Sequence, residues 1–213
     1  MDAIHSIALS MGVAWASGIN LYAAVFMLGY LGSTGYVALP PDMMVVTDPL
    51  VMAAAGFMYC VEFFADKTPG VDTGWDAIHT FIRIPAGAIL AYAAVGNVSP
   101  AAQLAALLIG GALAAGTHAT KAGTRVLINT SPEPFTNWVA SVSEDLMVIG
   151  GLWTALNHPW LFLCALIVFI LIMAWLLPRI GRALKSMFQS IRAFFRRDRP
   201  AGPPAAGPGI TKQ

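Results

Sequence analysis

The chain has 213 residues, of which 57% are hydrophobic and only 11% charged, with a formal net charge of +1. Soluble domains are usually about a quarter charged, so this composition, with a mean hydropathy of +0.69, excludes an ordinary water-soluble globule. The near-zero net charge leaves no basic surplus for a nucleic-acid partner.

About 20 apolar residues cross a bilayer, and on that measure the chain divides into six spans. Residues 7–31 form the first, interrupted by SGIN at Ser17 to Asn20. The opening stretch Met1 to Ser10 carries Asp2 and no Lys or Arg, unlike a signal peptide. Residues 32–48 read as a loop dense in turn formers, and 49–65 as a short second span. The polar stretch DKTPGVDTGWD leads to a third span over 77–95, with Arg83 inside it. After GNVSP comes an Ala- and Gly-rich fourth span over 101–121, then a polar link containing NTSPEP. Residues 138–156 are the fifth span, with Glu144 and Asp145 near its middle. NHP turns the chain into the sixth, 160–177, the most hydrophobic of all.

Beyond Pro178 the pattern changes. Ile180, Leu184, Met187, Phe188, Ile191 and Phe195 recur at helical spacing opposite Arg182, Lys185, Arg192 and Arg196. This reads either as a separate basic amphipathic helix, 179–199, lying on anionic lipid, or as a continuation of the sixth span. Residues 200–213, rich in Pro and Gly, read as a disordered tail. Cys60 and Cys164 sit in apolar runs and read as small core residues.

Basic residues orient such a protein. Seven of the 12 Lys and Arg fall between Arg179 and Arg199, the first 66 residues have none, and the loops 32–48, 96–100 and 157–159 are free of them. Six spans then place both termini in the cytoplasm. Trp138, Trp160 and Trp175 fall near span ends, where aromatic anchors are common.

Ionisable groups at bilayer depth are costly and usually pair or line a cavity. Glu62 and Asp66 share one helix face. Asp76, His79 and Arg83 share another, as do His118, Lys121 and Arg125. Glu144 lies deep in the fifth span, beside Asp145, and is expected to meet Arg83 or Lys121 or to border a hydrated cavity. Asp72 and Asp76 read more simply as caps for the third span. The candidates for binding a substrate or proton are therefore Glu144, Asp145, Glu62, Asp66, His118 and Asn20. Arg83, Lys121, Arg125 and His79 are the candidates for an anion or for ion pairing. No HxxxH or CxxC occurs, the sequence names no cofactor, and any metal stays undetermined.

AWASGINLYAA (Ala14 to Ala24) and ALAAGTHATKA (Ala112 to Ala122) are alike, and in each half the next span carries acids. Three spans per half would give two inverted three-helix repeats, a transporter architecture. The alternative is likeness of composition alone.

ASGINLY, EFFADKTPGVDTGWDAIHTFIRIPAG, GTHATKAGTRVLINTSPEP and SEDLMVIGG together resemble a bacterial membrane-protein family known as domain of unknown function 4126, over about residues 5–180. That resemblance implies a membrane fold and no established activity. EFFADKT is also similar to the Glu-x-Gly-Asp-Lys-Thr/Ser motif of calcium and manganese cation/proton exchangers, with one extra residue and Ala65 in place of Gly. The expected function is a small secondary transporter or ion exchanger with a charged intramembrane site. Lipid-phosphate binding or translocation and a non-catalytic assembly role are the alternatives. An enzyme ranks low because no nucleophile signature appears. The expected partners are membrane lipids and a small ion or molecule, and self-association is left open.

Overall fold

The computed structural model describes residues 2–130 and 134–197. Among them the regular elements are helices: α1 (Ala3–Ser33), a 3₁₀ helix (Pro41–Thr47), α2 (Pro49–Ala65), α3 (Val71–Ala94), α4 (Pro100–Ile128), α5 (Pro134–Asn157) and α6 (Pro159–Arg197). The protein is an all-α membrane protein. The expected tail, 200–213, and part of NTSPEP lie outside the described residues.

Local sequence sets the starts. Asp2 accepts from His5 N at 2.9 Å, Asp48 from Leu50 N at 2.8 Å, and Ser99 from Ala102 N at 3.3 Å. Proline follows Asp48 and Ser99 at the first helical position, where its missing N–H costs nothing. The tight links between α2 and α3 and between α3 and α4 turn at Gly70 (φ 85°) and Gly96 (φ 67°), a backbone region that favours glycine.

Polarity is inverted relative to a soluble bundle. The largest fully buried side chains are Arg83 and Arg125, whereas Phe81 is 82% exposed and Leu50 77%. An apolar exterior around a charged interior is what hydrocarbon selects as solvent. Cys60 and Cys164 face outward, which corrects the expectation of core thiols.

Among the described residues five helices are long and apolar enough to cross a membrane, or six if the 3₁₀ helix and α2, bent by 63°, count as one span. α1 has the length for it, but its path differs from the expected first span. A straight helix of 31 residues would be about 46 Å long. Asn20 instead has extended angles (φ −146°, ψ 93°), and α1 is two helical arms meeting there. The first arm descends along α3: Ser10 Oγ donates to Ala91 O at 2.8 Å, and Ser17 neighbours Gly87. The second arm returns: Val25 shares a groove with Ile89 and Leu90, Phe26 packs on Gly56, and Met52 on Gly29. Gly32 at its end abuts Leu39, which lines a cleft with Ala3, Ser6 and Ile7 from the opposite end of α1. Both ends of α1 therefore lie at the same face of the bundle.

The helices that follow run straight through. Gly116 and Gly123 of α4 meet Met173 and Ile180 of α6 in order, so these two are parallel. Gly12 of α1 meets Leu152 and Ala155 near the end of α5. α6 is continuous through Pro178, and Ile180 beyond it is still 5% exposed against Gly123. Of the two readings for the basic segment, the structure takes the continuing helix. The core is formed by α1 with inward residues of α3, α4, α5 and α6, including Trp15, Val148, Leu152 and Phe162.

Candidate functional site: a buried ion network

The break at Asn20 has a specific chemical consequence. In a continuous helix the Ile19 carbonyl would accept from Ala23 N–H. Here Asn20 Oδ1 takes that N–H at 3.0 Å, and Ile19 O is freed. It accepts instead from Arg83 Nη1 at 3.0 Å and Lys121 Nζ at 3.0 Å. Asn20 Nδ2 donates to Asp145 Oδ1 at 3.0 Å, which ties the bend to α5. Gly18 makes the approach to α4 feasible: a Cβ there would stand 2.6 Å from Ala114 O.

Around this carbonyl four carboxylates meet three cations. Arg83 Nη2 lies 2.5 Å from Glu62 Oε1, and Nη1 3.2 Å from Asp76 Oδ1. Lys121 Nζ lies 2.8 Å from Asp66 Oδ2, 3.2 Å from Glu62 Oε1, 3.4 Å from Glu144 Oε2 and 3.9 Å from Asp76 Oδ1. Arg125 grips Glu144 with two donors, Nε at 3.1 Å and Nη2 at 2.6 Å, and reaches Asp66 Oδ2 at 3.6 Å. Its Nη1 donates to Asp66 O and Asn137 O. Four acids against three bases leave one negative charge in excess when all are ionised. Buried oxygens of Glu62, Asp66 and Asp76 (Oε2, Oδ1 and Oδ2) have no hydrogen-bond partner among the described residues, an expensive arrangement unless something else neutralises them.

Glu144 pairs chiefly with Arg125 and also lies 3.4 Å from Lys121, one of the two partners the sequence suggested, while the other, Arg83, meets Glu62 instead. At 16% exposure the Glu144 side chain is the most accessible acid in the network. Asp145, on the adjacent face of α5, joins Asn20 instead.

His118 sits at the rim of the network. Its Nε2 faces Thr80 Oγ1 at 2.8 Å and Asp76 O at 3.1 Å, while Nδ1 lies 3.4 Å from Arg83 Nη1. The neutral Nε2–H tautomer fits, since Nδ1 then accepts from the guanidinium. Among the described residues His79 makes no ion pair. It stacks on Trp75 with centroids 4.1 Å apart, and its ring nitrogens meet Trp75 O and Tyr22 OH. Lys67 donates to Phe63 O and Ser141 Oγ, both at 3.1 Å. In this link between α2 and α3, burial holds its ammonium below the usual lysine range, with Asp145 and Asp66 opposing the shift.

Asp76 is the residue the sequence reading underrated. It was expected to cap the third span, but α3 begins at Val71, so Asp76 lies in its second turn, 1% exposed and paired with Arg83. Asp72 does the terminal work, accepting from Gly70 N at 2.9 Å and Thr73 N at 2.6 Å. The i, i+7 spacing of Asp76 and Arg83 was the available signal. Asn129, which bonds Asp72 and receives Asn137 Nδ2 at 2.7 Å, had no signal at all. Among the described residues no three His, Cys, Asp or Glu side chains converge where a metal ion could sit.

The family model for the domain of unknown function DUF4126 matches residues 7–179, which takes in every residue of this network. No curated protein and no solved structure matches the chain.

Proposed function

The chain belongs to the DUF4126 family, and we propose that it is a small secondary transporter or ion exchanger whose buried network is the substrate and coupling site. The observation that carries this is the unequal charge count. Four carboxylates share three cations, more than nine-tenths buried apart from Glu144, around a carbonyl freed by a helix break. A network built only to staple helices would be better balanced, because an uncompensated buried charge is strongly destabilising. One proton or one monovalent cation restores neutrality, so the site exists in at least two charge states. We assign it no catalytic role. The lipid-phosphate reading finds less support: Arg83, Lys121 and Arg125 are all engaged by carboxylates.

We place the face holding the basic C-terminal part of α6 in the cytoplasm of a bacterial inner membrane. Since α1 turns back at Asn20, the start of α1 is then outside, not cytoplasmic as six crossings would require. Cysteines introduced at Asp2 and Asn97 should label from the outside, and one at Thr68 from the inside; labelling of Asp2→Cys from the inside alone would sink this topology. The inverted-repeat reading draws support from directions, because α2 opposes α5 and α3 opposes α6. It does not extend to α1, whose Gly18 packs on α4 while Gly116 packs on Met173 of α6.

Purified protein in liposomes holding a pH-sensitive dye tests the main proposal. An imposed gradient of sodium, potassium, ammonium or calcium ions should drive proton flux in one of these cases. Glu62→Gln and Glu144→Gln should abolish it. Absence of flux across that panel, or full flux in Glu62→Gln, refutes it.

A further inference from the structure

Asp76 is the least supported acid of the network. An ammonium has three N–H donors. Lys121 uses all of its own on Asp66 Oδ2 at 2.8 Å, Ile19 O at 3.0 Å and Glu62 Oε1 at 3.2 Å. Asp76 Oδ1, 3.9 Å from Nζ, is left beyond hydrogen-bond reach. Its other cation is Arg83, whose Nη1 has two hydrogens for three acceptors: Ile19 O at 3.0 Å, Asp76 Oδ1 at 3.2 Å and His118 Nδ1 at 3.4 Å. The other acids are better held. Glu62 takes the second arm of Arg83 at 2.5 Å, Asp66 the closest contact of Lys121, and Glu144 two donors of Arg125. Asp76 Oδ2 has no hydrogen-bond partner among the described residues, and the residue is 1% exposed.

We propose that Asp76 carries the proton that balances the network's four carboxylates against its three cations. A carboxylate buried with one contested hydrogen bond is costly when ionised, whereas the neutral acid tolerates fewer partners. The surrounding groups favour the same carrier. Glu62 and Asp66, at the end of α2, oppose a further negative charge beside them, and they already engage Arg83 and Lys121. Glu144 of α5 and Arg125 of α4 balance each other. On α3 itself Asp72 is turned to Gly70 N and Thr73 N, and His79 to Trp75 O and Tyr22 OH of α1. His118 of α4 is the other candidate for the proton. Its Nδ1 faces the Arg83 guanidinium at 3.4 Å, where a second N–H would meet a like charge. This deepens the transport reading by naming the carrier of the coupling proton, and rests on that reading only for its use in transport.

The test uses the full chain in lipid nanodiscs and infrared difference spectroscopy, which separates the carbonyl stretch of a protonated carboxylic acid from the amide bands. Interacting acids titrate as a group, so an isotope label, and not a pH profile, identifies the carrier. Spectra are taken from about pH 6 upward, where ordinary carboxylates are ionised. The wild type should show a protonated-acid band that is lost as pH rises. The band should shift with carboxyl-labelled (carbon-13) aspartate and stay in place with labelled glutamate. In Asp76→Glu the dependence should reverse, the band following glutamate and no longer aspartate. Absence of the band, a glutamate-sensitive band in the wild type, or an aspartate-sensitive band in Asp76→Glu would overturn the proposal. If Asp76→Glu does not fold, thermal unfolding of two amide variants decides. Asp76→Asn copies the neutral acid and should unfold at no lower temperature than the wild type, whereas Asp66→Asn, losing an ionised partner of Lys121, should unfold earlier. A less stable Asp76→Asn, or an Asp66→Asn as stable as the wild type, overturns the assignment. Absent liposome flux with the aspartate band intact sinks the transporter reading alone. Flux without that band sinks the assignment of Asp76 alone.

Discussion

Replacing Asn20 by alanine removes the side chain that makes the reversal of α1 chemically tolerable. Two buried hydrogen bonds go with it, Ala23 N to Asn20 Oδ1 and Asn20 Nδ2 to Asp145 Oδ1, both at 3.0 Å. A buried N–H left without a partner costs about 1–3 kcal/mol, and a lost hydrogen bond to a charged group about 1.5–3 kcal/mol. The variant should therefore lose about 2.5–6 kcal/mol, the sum of these two effects. Straightening the helix offers no escape, because Ile19 O is already held by Arg83 and Lys121 and α1 would collide with the bundle it now follows. Reversible unfolding in mixed micelles measures the loss. The pair with Asp145→Ala separates the contributions: measured against the Asp145→Ala single variant, Asn20→Ala should lose only the Ala23 part. A cost below about 1 kcal/mol for Asn20→Ala would refute the idea that this side chain substitutes for the Ile19 carbonyl.

Gly18→Ala should destabilise by about 1–3 kcal/mol through overpacking, since its Cβ would lie 2.6 Å from Ala114 O and 2.7 Å from Thr117 Cβ; Gly74→Ala, with nothing within 4 Å, should stabilise by about 0.5–1 kcal/mol, and both are read in the same unfolding assay. Arg83→Gln should cost about 3–5 kcal/mol by stranding Glu62, and adding Glu62→Gln should recover part of that loss in a double-mutant cycle. Truncation after Leu184 should leave a folded, membrane-inserted protein, because Ile180 still packs on Gly123; size-exclusion chromatography and loss of binding to anionic vesicles are the readouts.

Apolar runs of span length, proline-led helix starts and the absence of Lys and Arg before residue 67 determined by themselves that this chain is a helical membrane protein, where most helices lie, and which end is basic. The periodicity of Glu62 with Asp66, Asp76 with Arg83, and His118 with Lys121 and Arg125 also determined which charges share a face, because helix geometry is local. What the sequence could not decide is who meets whom across helices. Arg125 rather than Lys121 became the main partner of Glu144, and Asp76 passed from a cap to an ion-pair member, through the depth at which each helix docks. Outward-facing Cys60 and Cys164 show the same limit, since in lipid an apolar residue gains little by choosing the inside. The reversal of α1 is the clearest case. A 31-residue apolar stretch reads as a crossing whichever way it runs, and only contacts between Gly32, Leu39 and the start of α1 reveal that it returns. Its physical cause, one extended residue whose own side chain takes over a backbone acceptor, is visible only once the rest of the bundle holds the freed carbonyl.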